Sequence, residues 1–233
     1  MPVFELTDEC VFPPPQLARS DGLLAIGGDL SQERLLLAYR LGIFPWYNEG
    51  DPILWWSPDP RLVLMLRDLH VSRRLERTLR QGAFRVTLDT AFARVIEACA
   101  SVRGPGREDT WITPDMMRAY TALHDAGHAH SVECWRDDEL VGGMYGVSLG
   151  ACFFGESMFS LVADASKIAL VILLRQLDAW GFDFLDCQVT TEHMLRFGAK
   201  EIPRTEFLAR LLMALRKPPR HGQWRFEPGD SGE

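Results

Sequence analysis

No stretch of this 233-residue chain approaches the roughly 20 consecutive apolar residues that a membrane-crossing helix needs. The first residues, Met1-Pro-Val-Phe-Glu, carry no basic region followed by an apolar segment, so no secretory signal is expected. Cysteine is sparse. Cys10, Cys99, Cys134, Cys152 and Cys187 are odd in number and widely spaced, which predicts reduced thiols in a cytoplasmic setting rather than a disulfide framework. A P-loop is missing, and so are G-x-G-x-x-G and G-x-S-x-G. These absences argue against nucleotide hydrolysis, a Rossmann cofactor and the nucleophile elbow of a serine hydrolase. Basic charge is in deficit, with 25 Lys and Arg against 32 Asp and Glu and a net charge of −7. An acidic chain does not bind nucleic acid indiscriminately and needs a local basic patch to bind it at all.

What the chain does have is a core. At 47% hydrophobic and 10% aromatic, its composition supports one large domain or two small ones. The organising stretch runs from Phe153 to Gly198. Phe153, Phe154 and Met158 flank Glu156 in a short apolar run suited to a buried strand. Asp164-Ala-Ser offers cap residues, Ile168, Leu170, Val171, Leu174, Leu177 and Trp180 form a helix face, and Gly181 closes the helix. Phe182 to Val189 reads as a second buried strand, parallel to the first. On it Asp186 and Gln188 share a face, with Cys187 opposite, and Glu156 on the neighbouring strand could meet them. Two carboxylates and an amide on apolar strands are either a polar cluster bracing the sheet or a site.

The flanks add candidates. Residues 1–60 are rich in Pro, Gly and aromatics and read as an accessory subdomain, with a soft boundary at 60–80 before a second domain over 61–233. Ser31 caps a helix through Leu41 that Gly42 ends, and Trp46, Trp55 and Trp56 serve either as core plugs or as a wall for a planar or apolar ligand. Leu62 to Leu66 reads as a strand. Ser72 caps a helix whose spacing puts Arg73, Arg77 and Arg80 on one face, either a solvated surface or a phosphate-tracking patch. Phe84 to Leu88 is a strand, Asp89 to Ala100 a helix, and Ser101 to Asp109 a loop. A helix follows from Thr113-Pro114 to Gly127, then a hairpin of His130–Arg136 and Leu140–Val147, where Gly142, Gly143, Gly146 and Gly150 suggest bulges or a close backbone approach. Thr205 is read as capping a last helix to Leu215, with the tail from Lys217 pinned by Trp224 and Phe226. His124, His128 and His130 lack the further ligands that a zinc site needs. The hairpin, strand, helix and strand suggest an acetyltransferase-like (GNAT) layout. The segment Leu161–Lys167 has none of the glycines that cradle the coenzyme A pyrophosphate in those enzymes.

Taken together, G-L-L-A-I-G-G-D-L, G-I-F-P-W, I-L-W-W-S-P-D-P-R, T-W-I-T, G-H-A-H-S-V-E, E-L-V-G-G-M-Y-G-V, F-G-E-S-M-F-S, A-S-K and D-C-Q-V resemble, in order, the bacterial leucyl/phenylalanyl-tRNA–protein transferases. The resemblance implies an α+β protein with a small N-terminal subdomain and a GNAT-like mixed-sheet C-terminal domain. It implies transfer of Leu, Phe and, less well, Met from aminoacyl-tRNA to proteins beginning with Arg or Lys, marking them for degradation. Glu156, Asp186 and Gln188 would lie at the reacting centre, and Trp46 and Trp111 would hold the 3′ end and the aminoacyl side chain. The pocket is expected to be apolar, drawing on Trp111, Met144, Phe153, Met158 and Leu173. An aminoacyl ester is already activated, so no cofactor and no metal are expected. A proton acceptor helps an attacking amine whose pKa is about 7.7–8. Asp186 is expected to supply negative charge and Gln188 to orient the amine. A coenzyme-A-dependent acetyltransferase and a catalytically silent RNA-binding adaptor are the competing readings.

Overall fold

Hydroxyl caps set three of the helix starts expected from the sequence. The Ser31, Ser72 and Thr113 side chains accept from the backbone N–H groups of Arg34, Leu75 and Met116. The computed structural model describes residues 3–101 and 111–226, so most of the Ser101–Asp109 loop lies outside the described residues. In chain order the elements are β1 (Phe4–Leu6), β2 (Leu23–Gly27), α1 (Gln32–Arg40), β3 (Phe44–Pro45), β4 (Leu54–Trp56), β5 (Arg61–Met65) and α2 (Arg73–Arg80). They continue with β6 (Arg85–Leu88), α3 (Phe92–Ser101), α4 (Pro114–Asp125), β7 (Ala129–Arg136), β8 (Glu139–Leu149), β9 (Cys152–Ser160), α5 (Ala165–Ala179) and β10 (Phe184–Gln188). Last come α6 (Glu192–Leu195), β11 (Lys200–Ile202) and α7 (Arg204–Ala214). None of the described helices is long and apolar enough to cross a membrane.

Two mixed sheets make this an α+β fold. A four-stranded sheet has the order β1-β2-β4-β3, and a seven-stranded sheet has the order β11-β5-β10-β9-β8-β7-β6. In the larger sheet β9 and β10 are parallel and joined through α5, as expected, while the other pairings are antiparallel. Alternate residues of each strand feed two cores. Leu62 and Leu64 face the α5 side with Leu170 and Leu174, whereas Val63, Phe154 and Phe184 face the side where α1, α4 and α7 pack. Both faces are covered, which is why these strands read as apolar runs rather than alternating ones. The second core is continuous from Leu24, Tyr39 and Trp55 to Tyr120, Phe154 and Phe207, so the smaller sheet shares its interior with the larger.

Two local readings are corrected. The N-cap of α7 is Pro203, not Thr205. Asp164 sits at the N-cap of α5 with φ of 68° and makes no side-chain cap, pairing instead with Lys167 at 2.7 Å and Arg74 at 3.4 Å. The tail does fold back. Trp224 is buried, its ring stacked 3.6 Å from that of His130, and its backbone N–H donates to Asp89 at 2.7 Å.

Two irregularities position the site. Along the β8–β9 ladder Tyr145 pairs with Ser157 and Gly146 with Gly155, which leaves Glu156 as an extra residue on β9. Along β5–β10, Val63 pairs with Asp186 and Leu62 with Gln188, which leaves Cys187 extra on β10. A bulge re-aims the side chain it carries. Gly146, opposite the first bulge, has no room for a side chain. An added Cβ would collide with the Phe154 carbonyl oxygen and meet the Phe153 ring at 2.6 Å. Overpacking of this kind costs about 1–3 kcal/mol. Gly146→Ala should therefore lose at least that much stability in urea titrations; a change within about 0.5 kcal/mol, the range of an innocuous surface substitution, would mean the bulge is soft.

Candidate active site

The ladder between β9 and β10 ends at the Asp186–Phe154 pair. Beyond it a pocket of about 530 Å³ opens, lined by Gly155 to Met158 from one strand and by Leu185, Cys187 and Gln188 from the other. Trp46, Trp111, Met144 and Leu170 add apolar walls, with Thr191, His193 and Met194 from the segment after β10. Burial lowers the pKa of His193, so Glu156 is the lining residue equipped to carry charge near neutrality.

Glu156 is held from three directions. It accepts from the Tyr39 hydroxyl at 2.7 Å, from the Tyr120 hydroxyl at 3.1 Å and from Gln188 Nε2 at 2.7 Å. The two tyrosine hydroxyls also touch each other. Two phenolic protons therefore serve three hydrogen bonds among Tyr39, Tyr120 and the carboxyl, and a proton on Glu156 would complete the ring. Burial pushes its pKa from 4.5 up to about 7, against the three hydrogen bonds that lower it, while nearby Asp186 adds to the rise. Burial also drives both tyrosines well above their ordinary value, so their hydroxyls stay donors. A carboxyl poised near neutral pH can take up a proton and release it.

Asp186 is placed differently from the expectation. It is fully buried and does not line the pocket. Its two oxygens accept from Arg61 Nε at 2.8 Å and Nη2 at 2.6 Å, and Oδ1 also accepts from the Gln188 backbone N–H at 2.9 Å. The bulge is the reason. Gln188 takes φ of 62°, which swings its side chain round to Glu156, and Cys187 turns to the pocket wall instead of the opposite face. Burial, with the Asp186 carboxylate behind it, raises the Cys187 thiol well above its ordinary pKa, which suits a wall and not a thiolate nucleophile.

Of the expected aminoacyl wall, Trp46, Trp111, Met144 and Met158 line the pocket. Phe153 and Leu173 do not; both are 1% exposed in the α5-side core, and Phe153 packs against Trp224. Leu170, one turn before Leu173, lines the pocket in its place. Of the clustered tryptophans Trp55 is the core plug, while Trp46 is 42% exposed at the pocket. Arg73, Arg77 and Arg80 are exposed along α2 and form no ion pair among the described residues. The histidines are dispersed. His124 Nδ1 meets the Ala129 carbonyl, His130 pairs with Asp89, and no metal-holding cluster occurs among the described residues. Sequence reasoning missed Tyr39, Tyr120 and Arg61. The two tyrosines lie on the apolar faces of α1 and α4, where a buried hydroxyl demands a partner; that demand was the available signal.

A family model described as leucyl/phenylalanyl-tRNA protein transferase matches residues 63–212, and the model for the N-terminal domain of those transferases matches residues 28–59. The leucyl/phenylalanyl-tRNA–protein transferase of Nitratidesulfovibrio vulgaris strain DP4 is 63% identical over 219 residues, 94% of each chain. That of Myxococcus xanthus is 57% identical over 226 residues, 96% of this chain and 97% of the relative. The structure of L-PGS from Bacillus licheniformis overlaps at a TM-score of 0.40 with 10% identity, over 72% of this chain and 54% of that one, too slight a likeness to bear on function. With a pocket that can seat an acyl group beside a titratable carboxyl, the matches define the class as an aminoacyltransferase. The chain belongs to the leucyl/phenylalanyl-tRNA–protein transferase family.

If Glu156 is the group that titrates, removing one donor to its carboxylate must raise its pKa further. Tyr120→Phe should move the midpoint of the rising limb of transfer rate against pH upward by about one unit. An unmoved midpoint in a folded variant would assign the titration to another group.

Proposed function

We propose that this protein transfers leucine or phenylalanine from aminoacyl-tRNA to the N-terminal Arg or Lys of acceptor proteins, with Glu156 as the proton acceptor in the pocket. The observation that carries the reading is a carboxyl at about pKa 7, hydrogen-bonded to Gln188 and facing an apolar pocket, in a chain of this family. In the reaction the acceptor's α-amine attacks the ester carbonyl. A C–N bond forms, the C–O bond to the ribose of the tRNA breaks, one amine proton passes to Glu156, and Glu156 gives that proton up to the departing ribose oxygen, directly or through solvent. Gln188 has a side-chain carbonyl that accepts from no group among the described residues and can accept from the attacking amine while its Nε2 donates to Glu156, so it orients the amine rather than deprotonating it. Negative charge at Glu156 also suits the cationic side chain of the acceptor. Asp186 acts behind Gln188 through the backbone and does not meet substrate.

The donor side is apolar. Trp46, Trp111, Met144, Met158 and Leu170 can enclose Leu, Phe or Met, whereas a charged side chain would lose its hydration without a partner. Discrimination among apolar donors should be modest, because a methylene is worth only about 1–3 kcal/mol. The exposed Arg73, Arg77 and Arg80 face suits acceptor-stem phosphates in an otherwise acidic chain. The parallel β9–α5–β10 unit, whose strands part at the pocket, supports a GNAT-like reading of the larger sheet, with the smaller sheet of residues 4–56 as the accessory subdomain. The glycine-free entry to α5, where Asp164 lies, disfavours coenzyme A. Modified acceptors would be marked for degradation.

Incubation with labelled Leu-tRNA, acetyl-CoA or neither, together with an Arg-initiated peptide, should label the peptide from the tRNA alone; acetylation instead would replace this reading. Neutralising Arg73, Arg77 and Arg80 together should weaken tRNA binding and flatten its salt dependence, by roughly one unit of log–log slope for each phosphate that the protein no longer neutralises. Use of a minimal aminoacyl-adenosine donor should survive. Normal tRNA binding by the triple variant at every salt concentration would make the face a solvated surface.

A further inference from the structure

We propose that Arg61 is a positioning residue for aminoacyl transfer, a guanidinium that locks the strand carrying Gln188 to the wall segment carrying Trp46. The inference rests on the transfer reaction above and adds a residue that touches no substrate. Arg61 stands at the head of β5 with 1% of its side chain exposed. On its edge, Nε and Nη2 grip both oxygens of Asp186. Its carbon centre lies 4.8 Å from the ring centroid of Phe44 and 4.5 Å from that of Phe207. Phe44 belongs to β3 and lines the pocket, and the chain runs on through Pro45 to Trp46. One planar group therefore fixes two things at once. Through Asp186 Oδ1 it holds the backbone N–H of Gln188, at the residue whose left-handed φ turns the amide toward Glu156. Through Phe44 it holds the donor wall. A lysine could offer charge to Asp186 but not the paired, planar donors packed against two rings.

If the pair served stability alone, replacing both partners by apolar side chains would leave function intact, since buried ion pairs often exchange for hydrophobic groups without loss of fold. The experiment uses the full chain with Leu-tRNA and an Arg-initiated peptide. It compares Arg61→Lys, Asp186→Asn and the double variant Arg61→Met/Asp186→Leu, each checked for folding by circular dichroism. Asp186→Asn should lower kcat by about 10²-fold with donor KM unchanged, the scale of a small misplacement at a reacting centre. Arg61→Lys and the double variant should lower kcat comparably and raise donor KM as well, because the Phe44 side of the lock is released too. Glu156 should still set the pH midpoint in all three; it stays near the parent's in Arg61→Lys and moves somewhat downward where the Asp186 carboxylate, which helps to raise it, is gone. Folded variants with kcat and KM within about twofold of the parent would overturn the proposal. So would loss of the pH midpoint in Asp186→Asn, which would make Asp186 the titrating group. If the double variant does not fold, the two conservative variants decide by the same criteria. A parent protein with no transfer activity would instead sink the functional reading itself.

Discussion

The buried pair of Arg61 and Asp186 is the constraint on which the rest of the site hangs. Two opposite charges have been taken wholly out of water, which costs several kcal/mol per ion unless the geometry is good and the remaining polar atoms find partners. Here the carboxylate is gripped at both oxygens and takes a third hydrogen bond from the Gln188 N–H, while the cation, whose Nη1 has no hydrogen-bond partner among the described residues, has an aromatic ring close by on two sides. A carboxylate so completely occupied has little left to give a substrate. Its influence reaches the pocket as geometry. The strand that bears it must end with Gln188 in a left-handed conformation, and the amide must then fall within 2.7 Å of Glu156.

Apolar strands and a titratable carboxyl are in tension, and the bulges resolve it. A regular β9 covered on both faces would have sent Glu156 into one core or the other. The extra residue instead lets it turn to a pocket where two phenols and an amide receive it. The enclosure that makes the carboxyl costly to ionise also brings its pKa to about 7. The surrounding donors from Tyr39, Tyr120 and Gln188 keep it from rising further; without them burial would push the group's pKa higher still.

Much of this was legible in the sequence, for identifiable reasons. The caps at Ser31, Ser72 and Thr113 and the glycines at Gly42, Gly82 and Gly181 are local signals, and the structure has each where the residues place it, the glycines all at positive φ. The β9–α5–β10 unit was legible because its strands are uniformly apolar and its helix periodic. Facing was not. Alternation along a strand assumes one residue per step, so it set Asp186 beside Gln188 and turned Cys187 away. A bulge reverses the parity of everything beyond it. The β8 glycines hint at one, and the shift falls at Gly146, but they do not say which residue of β9 is extra, and no glycine marks the one on β10. The pocket wall failed by one helical turn, at Leu173 instead of Leu170, because α5 is apolar nearly all round and its spacing cannot say which apolar side borders a cavity. Arg61 was invisible for a related cause: an arginine at the head of an apolar strand reads as the strand's solvated end until its partner, 125 residues away, is known.

The tyrosine ring around Glu156 has a consequence for how such a chain can be inherited. Tyr39 comes from the helix of the first sixty residues, Tyr120 and Glu156 from the segment after them, and the interior joining them is continuous. The later segment is thus no self-sufficient cassette. Shuffled into another gene without its leader portion, it would carry the carboxylate but lack one of the phenols and the Trp46 wall beside it. The carboxyl keeps its full set of partners only where both portions are present.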